Sequence, residues 1–334
     1  MKFAAGYQYR SSGELFSEMI ADYRPAIAEV YFPVPGFASG RPDAAQANSD
    51  ALAQLIYELK AIKSMNIQLD MLLNGNCYGN NAVSQDFRIR ICNMLEWFAS
   101  EELLPEIITT TSPFVADTVK KYSPDIEVRA SVNMRIDSIT ALEYLADKFD
   151  SFYLRRDLQR DLETVALFAN WSKANNKKLC LLANSGCLRN CPYQTFHDNL
   201  VAHDSELRQL ENVKDFMPHL CWARYNGGSN AEDFLRSSWI RPEDVKHYEP
   251  YCSLMKLATR QHSNPRMILG AYTSGGFSGN VFDLTEPCFS NAFAPKILDN
   301  RLLDNEELPG KCGSSCTHCG KCGKIVKKAL RSLF

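Results

Sequence analysis

The sequence has no long apolar run and no strong excess of charge. No window of its 334 residues approaches the roughly 18 uninterrupted apolar residues of a membrane-spanning helix. The first residues, MKFAAGYQYRSSGELF, lack the apolar stretch of a secretory signal peptide, so we expect none. The net charge of -2 excludes a generally basic nucleic-acid coat and a polyacidic tail.

Several catalytic and binding motifs are also missing. The glycine-rich stretch 275–279 (GGFSG) lacks the lysine and threonine of a phosphate loop and the flanking glycine of a nucleophile elbow. No other motif suggests a serine or cysteine protease triad, and the aromatic residues form no stacking stripe. The chain has no internal repeat and no low-complexity tract, which argues against solenoid and fibrous classes.

Twelve cysteines are the unusual feature of an otherwise ordinary composition, in which 45% of residues are hydrophobic and 23% are charged. Secreted disulfide scaffolds are small and poor in core residues, whereas a chain of this length can bury a large core. We therefore expect a cytoplasmic protein with reduced thiols. Clustered cysteines in such a protein more often bind metal or carry out redox chemistry.

Short apolar runs alternate with amphipathic segments along most of the chain, which predicts parallel strands joined by helices. The predicted strands cover residues 2–7, 27–32, 67–73, 106–111, 128–133, 151–155, 178–183 and 253–258. The predicted helices cover residues 13–23, 50–65, 85–100, 113–122, 139–149, 158–175 and 241–251. Residues 184–239 look irregular. The pattern favours an α/β fold, a TIM-like (β/α)8 barrel over residues 1–299, followed by a linker and a short cysteine-rich extension over residues 300–334.

The extension contains four cysteines with gaps of three, two and two residues: Cys312, Cys316, Cys319 and Cys322. Glycines between them let the chain fold its thiolates round one point. This spacing suits a 4Fe-4S cluster, with tetrahedral zinc as the alternative. Residues 311–334 also hold six basic residues and no acidic ones. These basic residues either offset the negative charge of a thiolate-bound cluster or bind RNA or an acidic redox partner.

A second group of cysteines follows the predicted seventh strand. Cys187 and Cys191 lie in its loop, at the end of the barrel where active sites gather, and Cys221 lies in the same irregular region. A fourth thiolate could come from Cys77, which also follows a strand, or from Cys252. The remaining cysteines, 92, 180, 252 and 288, are interpreted as packing residues.

Two other side chains are weaker candidates for the site. Arg155 ends the sixth strand, where a guanidinium would suit a carboxylate substrate, although a surface ion pair would explain it equally well. His197, six residues after Cys191, could donate a proton or act as a ligand, and a histidine bonded only to backbone is the alternative.

Three stretches resemble the peptidase U32 family, the collagenase-like peptidases: GCLRNCPYQTFHDN, the later WIRPEDVKHYEPYCSLMKLATR, and residues 155–158 (RRDL). The resemblance covers most of residues 1–290, and the tail is similar to cysteine-rich ends of some members. It implies a TIM-like barrel whose cysteines hold a 4Fe-4S cluster, with Cys187, Cys191 and Cys221 at cluster-ligand positions. It also implies oxygen-independent hydroxylation of the ubiquinone ring or of RNA pyrimidines, with prephenate as the oxygen donor.

The chain departs from the hydroxylating members in the Cys-x3-Cys spacing of its loop and in lacking the long C-terminal domains of the RNA-modifying ones. We therefore expect an iron-sulfur oxidoreductase or hydroxylase acting on a small or ring-containing molecule, with 4Fe-4S clusters at both cysteine groups. Family members can work in pairs, so a related subunit or redox partner is expected. The alternatives are a peptidase, as the family name suggests, and a non-catalytic electron-transfer or RNA-binding subunit.

Overall fold

The computed structural model describes residues 1–41, 49–207, 216–303, 312 and 316–333. Eight parallel strands form a closed barrel in chain order, and the first strand pairs with the eighth to close it. The strands are Lys2–Gly6 (β1), Ile27–Pro33 (β2), Gln68–Leu73 (β3), Ile107–Thr110 (β4), Glu127–Ala130 (β5), Ser151–Tyr153 (β6), Lys178–Leu182 (β7) and Leu254–Leu257 (β8). The predicted TIM-like (β/α)8 barrel is confirmed.

Helices that follow the strands form the outer layer of the barrel. They are Phe16–Tyr23 (α1), Ser49–Ser64 (α2), Gln85–Ser100 (α3), Pro113–Tyr122 (α4), Ile139–Leu145 (α5) and Leu162–Ala174 (α6). Side chains cap several of their N-termini: Ser84 accepts from the Phe87 amide, Ser112 from Val115 and Ser138 from Ala141. These caps satisfy amides that have no partner within the helix, which fixes where each helix begins.

The segment after β7 was predicted to be irregular, but the structure forms helices there. Its described part contains four short helices, none longer than nine residues. They are Gln194–Ala202 (α7), Asp204–Leu207 (α8), Leu220–Tyr225 (α9) and Ala231–Arg236 (α10). The helix predicted over 241–251 is a 3-10 helix, Pro242–Tyr248. Two further helices follow β8: Pro265–Ser274 (α11) and Ser290–Phe293 (α12).

The cysteine-rich tail folds back onto the barrel. Its helices are Cys316–Cys319 (α13) and Lys321–Ala329 (α14), and α14 packs against α10. Ile325, Val326 and Ala329 of α14 are buried. Strand Leu330–Ser332 (β10) then pairs antiparallel with Lys296–Leu298 (β9). The predicted domain boundary at residue 299 therefore lies between β9 and β10, two strands that pair with each other. Residues 304–311 of the predicted linker lie outside the described residues.

The barrel interior is charged as well as apolar. The Arg129 guanidinium is 1% exposed and donates two hydrogen bonds to Glu29, at 2.6 and 2.9 Å, and one to Glu127 at 2.8 Å. Lys256 lies with its Nζ 3.6 Å from the ring centre of Tyr31. Buried charges are tolerated when they are paired and hydrogen-bonded, and this network spans strands β2, β5 and β8.

No helix in the described part of the chain is both long and apolar enough to cross a membrane.

Candidate functional site

Four cysteines line one cavity of about 450 Å³. Cys187 and Cys191 come from the loop after β7, Cys221 from α9, and Cys288 from the segment before α12. We call this space the cysteine cavity. Since the loop after β7 leaves the C-terminal end of its strand, the cavity lies at the end of the barrel where TIM-barrel active sites are built.

The loop that carries Cys187 and Cys191 is shaped by its neighbours. A Cβ atom at Gly186 would lie 2.7 Å from the Phe289 ring, so only glycine lets the chain pass here. Asn190 adopts a left-handed conformation with φ of 54°, and its amide donates to Asp157 at 3.0 Å. These contacts turn the loop between the two cysteines, so that both thiols line the cavity.

The thiols influence one another's ionisation. Burial raises the pKa of Cys221 to about 12, and the nearby Cys187 raises it further. Burial also raises the pKa of Cys191, again with a contribution from Cys187. Arg156 donates from Nη1 to the Cys187 sulfur at 3.2 Å. Several buried thiols that oppose one another's ionisation are a donor set whose charge a metal centre would compensate.

The structure does not bring Cys77 into this cavity. Cys77 lines a different pocket, together with His203 and Glu206. Cys252 is 6% exposed and belongs to the hydrophobic core. Cys288, which was interpreted as a packing residue, lines the cysteine cavity, where its thiol donates to Asp283 Oδ1 at 3.6 Å.

Two other cysteines have the environments expected of packing residues. Cys180 is 1% exposed inside the barrel. Cys92 lies half-buried on α3.

Within the described ranges, no three side chains of His, Cys, Asp or Glu converge as ligands of a single metal ion.

His197 lines the cysteine cavity beside a second histidine. The rings of His197 and His219 meet edge to face, with their centres 4.5 Å apart. Burial lowers the pKa of His197 to about 4, and the charges of His219 and Arg41 lower it further. The imidazole is therefore neutral near pH 7 and able to accept a proton.

Arg155 does not enter the cavity. Its guanidinium pairs with Asp137 and Asp157, each at 3.0 Å, and forms an ordinary ion pair near the surface. The next residue, Arg156, is buried and points to the site, where it contacts Ser185, Cys187 and Asn133. Arg156, and not the predicted Arg155, is the arginine that contacts a cavity thiol.

A smaller space of about 60 Å³ lies at the top of the barrel, and we call it the barrel-mouth pocket. It shares Arg41 and Glu286 with the cysteine cavity. Its charged lining residues are four cations and one carboxylate: Arg41, Arg156, Lys256, Arg260 and Glu286.

The charge of this pocket is only partly compensated. Arg41 Nε lies 3.3 Å from Glu286 Oε1. In the described part of the chain, no carboxylate oxygen lies within ion-pair distance of Arg156 or Lys256, and Asp70 attracts the Lys256 ammonium from farther away. Buried charges without a counter-charge are costly, so the pocket favours an anionic ligand.

The tail cysteines lie beside the loop of the cysteine cavity. Arg189, which lies between Cys187 and Cys191, donates from Nη1 to the Cys316 sulfur at 3.5 Å. Burial raises the pKa of Cys322, and the charges of Cys312 and Cys316 add to that effect. Cys319 is exposed. The spacer at positions 313–315 lies outside the described residues, and the metal of the tail stays a prediction.

The comparisons with known proteins agree with this barrel. No protein-family model matches the chain. A curated relative from Methanocaldococcus jannaschii, named "Uncharacterized protease MJ1657", is 24% identical over 310 residues, which cover 91% of this chain and 89% of the relative. The solved structure of the U32 peptidase Mk0906 matches with a TM-score of 0.55 and 13% identity over 78% of this chain and 93% of that one. The resemblance to the U32 family is confirmed.

A glycoside hydrolase family 5 mannosidase from Rhizomucor miehei also matches the U32-like barrel, with a TM-score of 0.43 and 9% identity over 76% of this chain and 80% of that one. Its similarity is too low to carry an argument about the site.

Proposed function

We propose that the chain is an iron-sulfur enzyme of the U32-like barrel group that performs redox chemistry, such as oxygen-independent hydroxylation, on a small anionic molecule. The observation that carries this proposal is that two adjacent spaces at the barrel mouth share Arg41 and Glu286. Four thiols line the cysteine cavity, and the adjacent barrel-mouth pocket is lined by four cationic side chains and one carboxylate.

A 4Fe-4S cluster takes one thiolate at each iron, and the proposal is supported by four thiols that line one cavity: Cys187, Cys191, Cys221 and Cys288. The Cys288 thiol donates to Asp283 Oδ1 at 3.6 Å, so it would have to turn from that partner to reach an iron. The raised pKa of Cys221 agrees with this, since cationic iron would stabilise the thiolate form that burial disfavours. When bound, a cluster with a thiolate at each of its four irons would supply electrons.

The other residues bind and orient the substrate. The buried Arg156 guanidinium contacts both Cys187 and the neutral residues of the barrel-mouth pocket, so it is placed to hold a carboxylate next to the thiols. Arg41 lies between the two spaces and is oriented by Glu286. Lys256 adds a positive charge from β8, and burial lowers the pKa of its amine to about 8.

His197 is placed to move a proton. Its neutral imidazole lines the same cavity as the thiols and can accept a proton from a bound hydroxyl or water. The Trp222 and Leu188 side chains form an apolar part of the wall.

The tail is proposed to hold a second cluster that relays electrons to the first. The contact of Arg189 with Cys316 supports this, because Arg189 belongs to the loop that carries two of the cavity thiols. Zinc in the tail is the alternative.

Anaerobic purification with iron and sulfide analysis tests the proposal. We expect about eight irons and eight sulfides per chain, on the basis of two cubane clusters. Cys187→Ser and Cys322→Ser should each reduce the iron to about four, while Cys92→Ser, on the outer helix α3, should leave it unchanged. Zinc or about four irons in the wild type would overturn the two-cluster version, and iron bound independently of Cys187 would overturn the proposed site.

A further inference from the structure

Cys77 lies in a pocket of its own. The pocket has a volume of about 340 Å³ and is bounded by the loop after β3, by α3, and by the end of α7 with α8. Helix α7 separates it from the cysteine cavity, since His197 and Val201 line that cavity while Ala202 lines this pocket. The two spaces share no lining residue.

A thiol, an imidazole and a carboxylate form a row along one wall of this pocket. The Cys77 thiol and the His203 ring line this pocket together and are close enough for each to shift the pKa of the other. On its other side, His203 Nδ1 lies 3.2 Å from Glu206 Oε2. The backbone amide of Gly79 donates to the Cys77 sulfur at 3.4 Å. An activated cysteine nucleophile requires this order of groups: a base beside the thiol and an acceptor that orients the base.

The electrostatics of the row favour the reactive form of the thiol. The neighbouring His203 lowers the pKa of Cys77, and the Gly79 amide lowers it further. Cys77 in turn raises the pKa of His203, with a contribution from Glu206. Both shifts favour a thiolate beside an imidazolium, which is the nucleophilic state of such a pair.

We propose that Cys77, His203 and Glu206 form a second catalytic site, independent of iron, that hydrolyses small esters or amides through a thioester on Cys77.

The reaction needs only water as co-reactant. The Cys77 thiolate attacks the carbonyl carbon, and the bond from that carbon to the leaving oxygen or nitrogen breaks as His203 gives its proton to the leaving group. Water then loses a proton to the neutral His203 and attacks the thioester, and the carbon–sulfur bond breaks. The carboxylic acid leaves, and the thiolate–imidazolium pair is restored. Glu206 is a positioning residue that holds the imidazole.

The residues that line the pocket indicate which kind of acyl group the site would accept. Phe37, Tyr78 and Phe87 line it, and the ring centres of Tyr78 and Phe87 are 5.0 Å apart. The Arg90 guanidinium lies over the Phe37 ring at 5.2 Å. These rings give the mainly polar pocket one apolar side, against which a short acyl chain or an aromatic ring would pack.

The test uses the full chain with 4-nitrophenyl butyrate as the ester probe and butyryl 4-nitroanilide as the amide probe. We expect a burst of one nitrophenol per chain and one butyryl group on the peptide that contains Cys77, located by mass spectrometry after acid quenching. Turnover of the ester alone would assign an esterase, and turnover of both probes an amidase. Acyl label on another residue, or no label from either probe, would overturn the proposal.

Variants separate the roles of the three residues. Cys77→Ser should abolish the burst, and His203→Gln should slow acylation by at least about 100-fold. Glu206→Gln should lower kcat several-fold with KM unchanged, and Glu206→Asp should restore part of that loss. Acylation of His203→Gln at the wild-type rate would contradict the mechanism.

Two controls keep this proposal distinct from the iron-sulfur function. Cys92→Ser should retain the full burst, because Cys92 lies on α3 outside the pocket. Cys77→Ser should retain the iron content of the wild type. A loss of iron in Cys77→Ser would assign Cys77 to a cluster and overturn the independent site, whereas a missing burst with normal iron would overturn the hydrolytic site alone.

Discussion

Nη1 of Arg189 lies 3.5 Å from the sulfur of Cys316, and the same guanidinium donates to the backbone carbonyl of Cys312. Arg189 occupies the loop between Cys187 and Cys191. One side chain thus joins the loop of the cysteine cavity to the cysteine-rich tail. The apolar face of α14, the pairing of β10 with β9, and backbone hydrogen bonds from Asp299 to Ala329 and from Leu333 to Pro295 also hold the tail.

Arg189→Ala is expected to loosen the tail. Hydrogen bonds of a charged group contribute about 1.5–3 kcal/mol, and losing this anchor should speed amide exchange in Lys321–Ala329 by about tenfold. Hydrogen-exchange mass spectrometry measures this. Arg155→Ala, which removes an arginine from a surface ion pair, is the matched control and should leave exchange in α14 unchanged. Unchanged exchange in Arg189→Ala would show that the apolar face of α14 and the pairing of β10 with β9 hold the tail without Arg189.

We expect Cys288, rather than Cys77 or Cys252, to be the fourth ligand of the site cluster, because Cys288 lines the cysteine cavity. Cys288→Ser should lower the iron content by about four per chain, as a cubane cluster loses stability without one of its thiolates. Cys77→Ser, a substitution of the same kind in a different pocket, is its control and should keep all the iron. Iron and sulfide analysis of both variants, purified without oxygen, decides between the two cysteines. Retention of iron in Cys288→Ser with loss in Cys77→Ser would reverse the assignment.

The barrel could be predicted because its strands are short apolar runs separated by helices with visible caps. The structure places all eight strands inside the predicted ranges or within one residue of them. Ser138, which caps α5, is an example of a local signal that fixes an element without long-range information. The helices after β7 escaped prediction because four to nine residues are too few to establish a helical period.

The candidate site could be predicted only where its residues are close in sequence. Cys187 and Cys191 share a loop, whereas Cys288 reaches the same cavity from a distant segment by tertiary packing. Strand alternation extended past Tyr153 would point Arg155 inward. The 3-10 helix Arg156–Leu158 begins there instead and turns Arg156 to the site. The buried charges Glu29 and Arg129 lie within strands, where single charged residues usually indicate a solvent-facing side.

Arg156→Ala should weaken the binding of small dicarboxylates, with malonate as the probe. Because Arg156 is buried at the junction of the cysteine cavity and the barrel-mouth pocket, we expect at least about a tenfold loss of affinity, corresponding to one charge-assisted hydrogen bond. Arg155→Ala should bind malonate within about twofold of the wild type. Calorimetric titration measures both affinities. Equal weakening in the two variants, or tight binding by Arg156→Ala, would remove Arg156 from the anion site.

Asp70→Asn should stabilise the protein at neutral pH. Burial raises the pKa of Asp70 to about 6, although Arg129 opposes the shift, and its Oδ2 accepts a hydrogen bond from Thr109 that an asparagine can also accept. Between about pH 4 and 6 the folded protein binds a proton that the unfolded chain has released. The free energy of unfolding therefore rises as the pH falls through this range, and the charged carboxylate costs stability above it.

The substitution removes this dependence, because asparagine does not titrate. Because burial raises the pKa of Asp70 by about two units, we expect Asp70→Asn to increase the free energy of unfolding by on the order of 2 kcal/mol at pH 7. At pH 4 we expect little change. Denaturant unfolding of metal-free protein between pH 4 and 7.5 measures both quantities, with the exposed Asp125→Asn as the control. A loss of stability at pH 7 would mean that attraction between Asp70 and Arg129 outweighs the cost of burying the carboxylate, and the direction of its pKa shift would then be wrong.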